Sequence, residues 1–281
     1  MNYKSCIMNY KSCFIMMAAL AILWGCSSDD DSDSTKSKPQ TEQQEENSLN
    51  SLFTASEYPD WAINWKWFEA APTWQEPDRN QYADPCSMQL RVVLDEGLAS
   101  FSTDADKMAV FIDQTCRAIS KRNVIEQDGK VVFLLSIWGD RQEIGSAMEL
   151  RYFSAQLTQT FKNRKLPPFE PDNLWGDKYN LVQEIGMGSS KYPYTTKLSV
   201  LLPSALPFKA HSGDCVFVFV KDECRGVFKT SAENVFSGYV FSHNEGETAE
   251  IRYYSADKQG YYTIKSPLTL NNADQSVNIK F

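Results

Sequence analysis

Apolar positions in this chain come in short runs that alternate with polar ones, and few stretches carry a helical period. Leu90-Arg-Val-Val-Leu94, Met108-Ala-Val-Phe-Ile112, Val131-Val-Phe-Leu-Leu-Ser-Ile137 and Met148-Glu-Leu-Arg-Tyr-Phe153 are rich in β-branched or aromatic residues. So are Lys197-Leu-Ser-Val-Leu-Leu202, Cys215-Val-Phe-Val-Phe-Val220, Gly238-Tyr-Val-Phe241, Thr248-Ala-Glu-Ile-Arg-Tyr-Tyr254 and Gly260-Tyr-Tyr-Thr-Ile264. Polar, Gly or Pro stretches separate them, so each reads as a strand. Short strands at regular spacing predict an all-β fold of antiparallel sandwiches. The stretch expected to be helical or irregular is Ser51–Phe68, where Trp61, Trp65 and Phe68 follow i, i+4, i+7 spacing.

The strand pattern occurs twice. Leu90, Val92, Leu94, Leu98, Asp106, Val110, Phe111, Cys116, Arg117 and Lys121 recur as Leu198, Val200, Leu202, Leu206, Asp214, Val218, Phe219, Cys224, Arg225 and Lys229, a constant shift of 108. A later block, Glu149–Ala155, recurs as Glu250–Ala256 at a shift of 101, so the first copy carries seven extra residues in between. A duplication of this length predicts two tandem domains of one fold rather than a solenoid.

In the second copy, Lys221-Asp222 reads as a two-residue hairpin turn. Alternation from there puts Cys215, Phe217, Phe219, Cys224 and Gly226 on one face, and Asp214, Val216, Val218, Val220, Arg225 and Val227 on the other. Asp214 and Arg225 thus share a face, as do Asp106 and Arg117. That arrangement invites an ion pair within each domain, or an arginine bonding a neighbouring loop. Either role is structural.

The phrase Asp222-Glu-Cys-Arg-Gly226, followed by Glu250-Ile-Arg-Tyr-Tyr254 and a closing strand, resembles an immunoglobulin-like β-sandwich repeat of secreted and surface proteins in Bacteroidetes. The resemblance covers residues 85–281 and implies two tandem immunoglobulin-like domains, often found beside glycan-related or adhesive modules. It implies no catalytic residue. The first copy departs from it, since Thr115-Cys-Arg-Ala118 lacks both the acid and the glycine.

The front of the chain duplicates Met1–Cys6 as Met8–Cys13, which places the expected translation start at Met8. Lys11, an apolar run from Phe14 to Trp24 and Gly25-Cys26 then make a secretion signal too short for a comfortable membrane span. Leu23-Trp24-Gly25-Cys26 resembles the lipobox of bacterial lipoproteins, with Trp24 as its main departure. The resemblance implies lipidation of Cys26 and a lipid anchor in the outer membrane. The Ser/Asp run after Cys26 is similar to the surface-export signal of Bacteroidetes lipoproteins. Residues 27–50 hold seven acids against two lysines, a net charge of −5, with Leu49 the sole aliphatic residue. Such a stretch cannot offset chain entropy by burial and is expected to be a disordered tether. The expected layout is a signal over 1–26, an acidic tether over 27–56, one sandwich over 57–180 and a second over 181–281.

Charge and chemistry narrow the function. The whole chain carries −8; without the tether and the leader's Lys4 and Lys11, the body from Ser51 onward carries −5. A mildly acidic body with no basic cluster argues against nucleic acid. Of seven cysteines, Cys86, Cys116, Cys215 and Cys224 remain beyond Cys26, and Cys116 and Cys224 are expected to be small packing residues. His211 and His243 have no metal-ligand spacing, so no metal or cofactor is expected. Gly186-Met-Gly188-Ser-Ser190 is neither a phosphate loop nor a nucleophile elbow. Paired acids such as Asp104/Asp106 and Glu245/Glu247 occur in any acidic chain, and no enzyme is expected.

One cluster stands out. Tyr58, Trp61, Trp65, Trp67, Phe68 and Trp74 fall within 17 residues, with four of the chain's seven tryptophans. They either plug the open end of the first domain or form an exposed platform for sugar rings or another flat ligand. Two functions fit these features. One is a surface lipoprotein that binds a glycan or nutrient or mediates adhesion through aromatic residues. The other is a structural accessory subunit of an outer-membrane complex, with the Trp-rich segment as its protein interface.

Overall fold

A computed structural model describes residues 44–124, 129–163, 165–176, 186–206, 208, 210–232 and 234–280. The leader, Cys26 and the tether up to residue 43 lie outside the described residues, as does the expected 180/181 boundary. The first strands are β1 (Gln44–Ser48) and β2 (Phe53–Thr54). The first copy contributes β3 (Pro85–Val93), β4 (Lys107–Ile112), β5 (Thr115–Lys121), β6 (Asn123–Val124), β7 (Val131–Asp140), β8 (Glu149–Ser154), β9 (Gln159–Asn163) and β10 (Leu174–Trp175). Then come β11 (Gly188–Ser189), β12 (Tyr194–Leu201), β13 (Cys215–Val220), β14 (Glu223–Ala232) and β15 (Val235–Ser242). The last are β16 (Thr248–Ser255), β17 (Gly260–Thr263), β18 (Leu268–Thr269) and β19 (Gln275–Lys280).

The fold is an all-β sandwich arrangement. In the first copy one sheet runs β10-β3-β7-β6 and the other β11-β9-β8-β4-β5. In the second copy the order is β1-β19-β12-β15-β14-β13-β16-β17-β2, and β14 carries the chain from one layer to the other. Its start pairs with β13 and its end with β15. The first copy splits the same span into β5, on β4, and β6, on β7. Alternation gives each copy its own core: Leu90, Val110, Phe133, Leu150 and Phe161 in the first, Leu198, Val218, Phe236, Ile251 and Val277 in the second.

Not all pairing is antiparallel as expected. β10 lies parallel to β3, and β19 lies parallel to both β12 and β1. In each copy the last strand returns from the opposite layer and enters beside the first strand, which fixes its direction. The expected boundaries shift too. β11, assigned to the second copy, pairs with β9 of the first. The stretch Gln44–Thr54, assigned to the tether, is structured: β1 adds to β19, Leu49 bridges Ile264, and β2 adds to β17.

The hairpin turn forms as expected, with Val220 paired to Glu223 across Lys221 (φ 56°) and Asp222. Asp113 (φ 47°) and Gln114 (φ 65°) do the same in the first copy. A bulge then follows. Pairing jumps from Phe219↔Cys224 to Val218↔Gly226, leaving Arg225 without a partner, and Arg117 sits alike. The extra residue swaps the faces beyond it. Val227 therefore packs with Cys215 and Phe217 rather than with Val216, against expectation, and Phe228 enters the core.

The expected Asp–Arg pair does not form. Asp214 accepts from the Tyr253 hydroxyl (2.6 Å), the Ala256 N–H (2.8 Å) and the His211 N–H (2.9 Å). Asp106 matches it through the Tyr152 hydroxyl (2.6 Å), the Ala155 N–H (2.9 Å) and Thr103. Burial first, then the aspartate's acceptance, hold both phenols well above their usual range, so they stay donors. Each lock ties the start of β4 or β13 to β8 or β16 through the core.

One core exchange distinguishes the copies. A Cβ on Gly238 would lie 2.4 Å from the Phe228 ring. In the first copy Ser120 stands where Phe228 does, and Leu135 where Gly238 does, since Leu135 and Gly238 pair with the equivalent Leu90 and Leu198. A large residue on one strand replaces a large residue on its neighbour, which conserves core volume. The departure at Ala118 fits this scheme: its counterpart Gly226 faces Phe228 at 3.1 Å, whereas Ala118 has Ser120 two residues on.

Candidate functional site

Residues 55–78 contain no helix; they run extended and irregular across both copies. Trp61, Ile63 and Trp65 turn inward at every second position, the period of an extended chain. Trp61 meets Phe217, Phe219 and Tyr261 edge-on, each at 5.1 Å, with the Arg252 guanidinium 5.0 Å from its ring. Trp65 stands at the junction. It touches Phe101 (6.4 Å) and Phe161 (5.7 Å) of the first copy, and Tyr192 (5.9 Å) and Phe241 (4.8 Å) of the second. Trp74 then packs on Phe111, which Arg151 covers at 3.8 Å. Phe111 and Arg151 are the counterparts of Phe219 and Arg252, so each copy offers the same outer patch to one tryptophan.

Backbone bonds fix this strap. On the second copy, the Tyr192 hydroxyl shares its one proton between the Glu223 carboxylate (2.7 Å) and the Asn64 carbonyl (2.8 Å), and the Ala55 N–H donates to the Gln259 carbonyl (3.0 Å). On the first, the Gln159 amide donates to the Trp65 carbonyl (2.6 Å), the Thr158 hydroxyl to the Trp67 carbonyl (3.1 Å) and the Glu69 N–H to the Thr158 carbonyl (2.8 Å). Trp61 and Trp65 therefore spend their faces on packing. Tyr58 (52 % exposed), Trp67 (49 %) and Phe68 (79 %) present surface, although Tyr58 also meets Tyr254 at 4.9 Å.

Arg225, beside this junction, and its counterpart Arg117 in the first copy have separate partners. Arg225 pairs with Glu223 (2.9 Å), donates to the Phe241 carbonyl (3.3 Å) and lies 4.6 Å from the Tyr192 ring. Arg117 pairs with Glu143 and lies 5.3 Å from the Tyr82 ring. Burial alone would raise the Glu223 carboxyl, but the Tyr192 hydroxyl, Arg225 and Lys191 outweigh it and hold it below the usual carboxylate range. A carboxylate depressed on folding stabilises the native state above its unfolded titration and loses that contribution as pH falls through its folded value. Glu223→Gln is thus expected to lower Tm at neutral pH and to match the parent below the carboxylate range. An equal Tm deficit at both pH values would refute this.

All four described cysteines are free thiols. Cys224 is buried in the outer aromatic cluster with Cys215, and burial pushes its thiol up to about 11. Cys116 is only half-buried. His211 and His243 lie far apart in sequence and serve loops, the latter through the Lys191 carbonyl at 2.7 Å. No described helix is long and apolar enough to cross a membrane.

Where the copies meet, a cleft of about 770 Å³ opens, within the range of roughly 300–1,000 Å³ common to small-molecule sites. The first copy supplies Lys162, Lys165 and Trp175; the second supplies Tyr194, Lys197 and Tyr239, with Asn272 and Asp274 at the rim. Gly186 lets the walls approach, since a Cβ there would lie 2.7 Å from the Tyr239 ring and 2.8 Å from the Thr195 hydroxyl. No local sequence signal marks this cleft, because its walls are about 20–110 residues apart in the chain.

No protein-family model and no curated protein matches the sequence. A solved structure from Bacteroides fragilis, described as a "putative cell adhesion protein", aligns over 85 % of this chain and 93 % of its own at 5 % identity and a TM-score of 0.28. The Bacillus anthracis TIE protein aligns over 69 % of this chain at 9 % identity and a TM-score of 0.22, and this chain spans about a third (34 %) of its length. At TM-scores this low, neither likeness carries an argument about what this chain binds or does.

Proposed function

We propose that the chain is a non-enzymatic, lipid-anchored surface protein that binds a glycan or similar nutrient ligand, or adheres through one. The cleft carries this reading: two copies welded by the strap make one preformed recess with aromatic walls and polar rims, the composition of a recognition site. Lipidation at Cys26 would set that recess outside the cell. Isothermal titration of the full-length protein against a panel of neutral and acidic oligosaccharides tests it. At least one is expected to bind, and Tyr194→Ala to weaken it roughly tenfold by removing a stacking face. A panel with no binder sinks the reading.

The exposed Trp67 and Phe68 favour a second reading, in which the strap docks the chain as an accessory subunit of an outer-membrane complex. Membrane cross-linking that recovers a stoichiometric partner, lost in Trp67→Ala/Phe68→Ala, would decide for it.

A further inference from the structure

Resting on the binding reading above, we propose that the cleft selects an anionic oligosaccharide, one that carries carboxylates or sulfates. Lys162 and Lys165 line it from the first copy and Lys197 from the second, and Asp274 is the one acid among the described lining residues, in a chain whose overall charge is −8. The fold itself does not call for these lysines. At the internal shifts of 101 and 108, their counterparts in the other copy are Thr263, Ser266 and Gln89, on equivalent strand positions and the loop beyond them. At these three pairs of positions the lysine stands in the copy whose residue lines the cleft, and a neutral residue stands in the other. Lys165 donates to the Asn272 carbonyl at 2.9 Å, a neutral partner. Asn272 is itself fixed at φ 51°, with its N–H donated to the Thr196 hydroxyl at 3.2 Å.

The remaining wall is suited to sugar rather than to peptide. Trp175 and Tyr194 line the cleft with aromatic surface that a pyranose can pack on, and Ser190 and Thr195 add hydroxyls to the same lining. The cationic groups come from both copies, so spacing between them is set by the strap and by the β9–β11 pairing. A ligand charge must fit that spacing, which is a specificity device that a flexible pair of domains would lack.

The test uses full-length protein and four probes: an oligogalacturonate, a sulfated galactan fragment, a neutral galactan oligomer of equal length, and hexaglutamate. Calorimetry is expected to show binding of one or both anionic sugars, weakening with rising ionic strength, and at least tenfold weaker binding of the neutral oligomer. Lys162→Gln, at an exposed strand position, and Lys165→Gln should each weaken the anionic sugar about tenfold with Tm unchanged. Equal binding of neutral and anionic sugars overturns the charge selection while leaving the binding reading intact. Binding of hexaglutamate in preference to every sugar overturns it in favour of an acidic peptide. Silence from every probe overturns both.

Discussion

Trp65→Ala is expected to be the most damaging single change in the strap, lowering unfolding free energy by about 3 kcal/mol, the low end of the usual range for truncating a tryptophan, because its ring is partly buried. Its ring touches aromatic residues of both copies, Phe101 and Phe161 on one side and Tyr192 and Phe241 on the other. Its carbonyl also accepts from Gln159, so the strap's path is set at the same point. Removing the ring opens a cavity at the junction, and denaturation should separate from one transition into two. Trp67→Ala, on a half-exposed ring, should stay within about 0.5 kcal/mol of the parent. A single unshifted transition for Trp65→Ala would show that the copies are joined by something else.

Asp214→Ala is expected to cost about 2–5 kcal/mol, because it orphans the Tyr253 hydroxyl and the N–H groups of Ala256 and His211 together. Tyr253→Phe should cost less, since Asp214 keeps two donors. The double variant should be less damaging than the two single losses added, as expected for residues in one network. The same series at Asp106 and Tyr152 should destabilise the first copy instead, read by fluorescence or by exchange at β4 and β8. Additive losses would dissolve the lock.

The strands were legible because alternation and β-branched runs are local signals, and the hairpin turn was legible for the same reason. The lock was half visible. Asp106 and Tyr152 each recur in the duplication, but only coordinates bring them within bonding distance across 46 positions. The bulge defeated simple alternation: one added residue at Arg225 reverses every face beyond it. For the strap, the sequence left helical and irregular both open, for an arithmetic reason. A spacing of four is about one helical turn and also two pleats of an extended chain, so Trp61 and Trp65 satisfy either; Phe68, at the odd offset of seven, points outward. The stretch Gln44–Ser48 failed because composition judges a segment by the apolar area it can bury. A strand added to an existing edge is held chiefly by main-chain hydrogen bonds, and those need no particular side chains.

The pairing of β1 with β19 has a kinetic consequence. Register partners Gln44 and Ser276 stand at opposite extremes of the described chain, so this seam closes only once nearly everything between them has been made and delivered. During synthesis β1 must wait with its edge open, while the first sandwich can already assemble from nearby strands. Closing the seam is then a late step, a zippering of β1 onto β19. While β19 is undocked, β1 would carry a vacant edge that any extended passer-by could occupy.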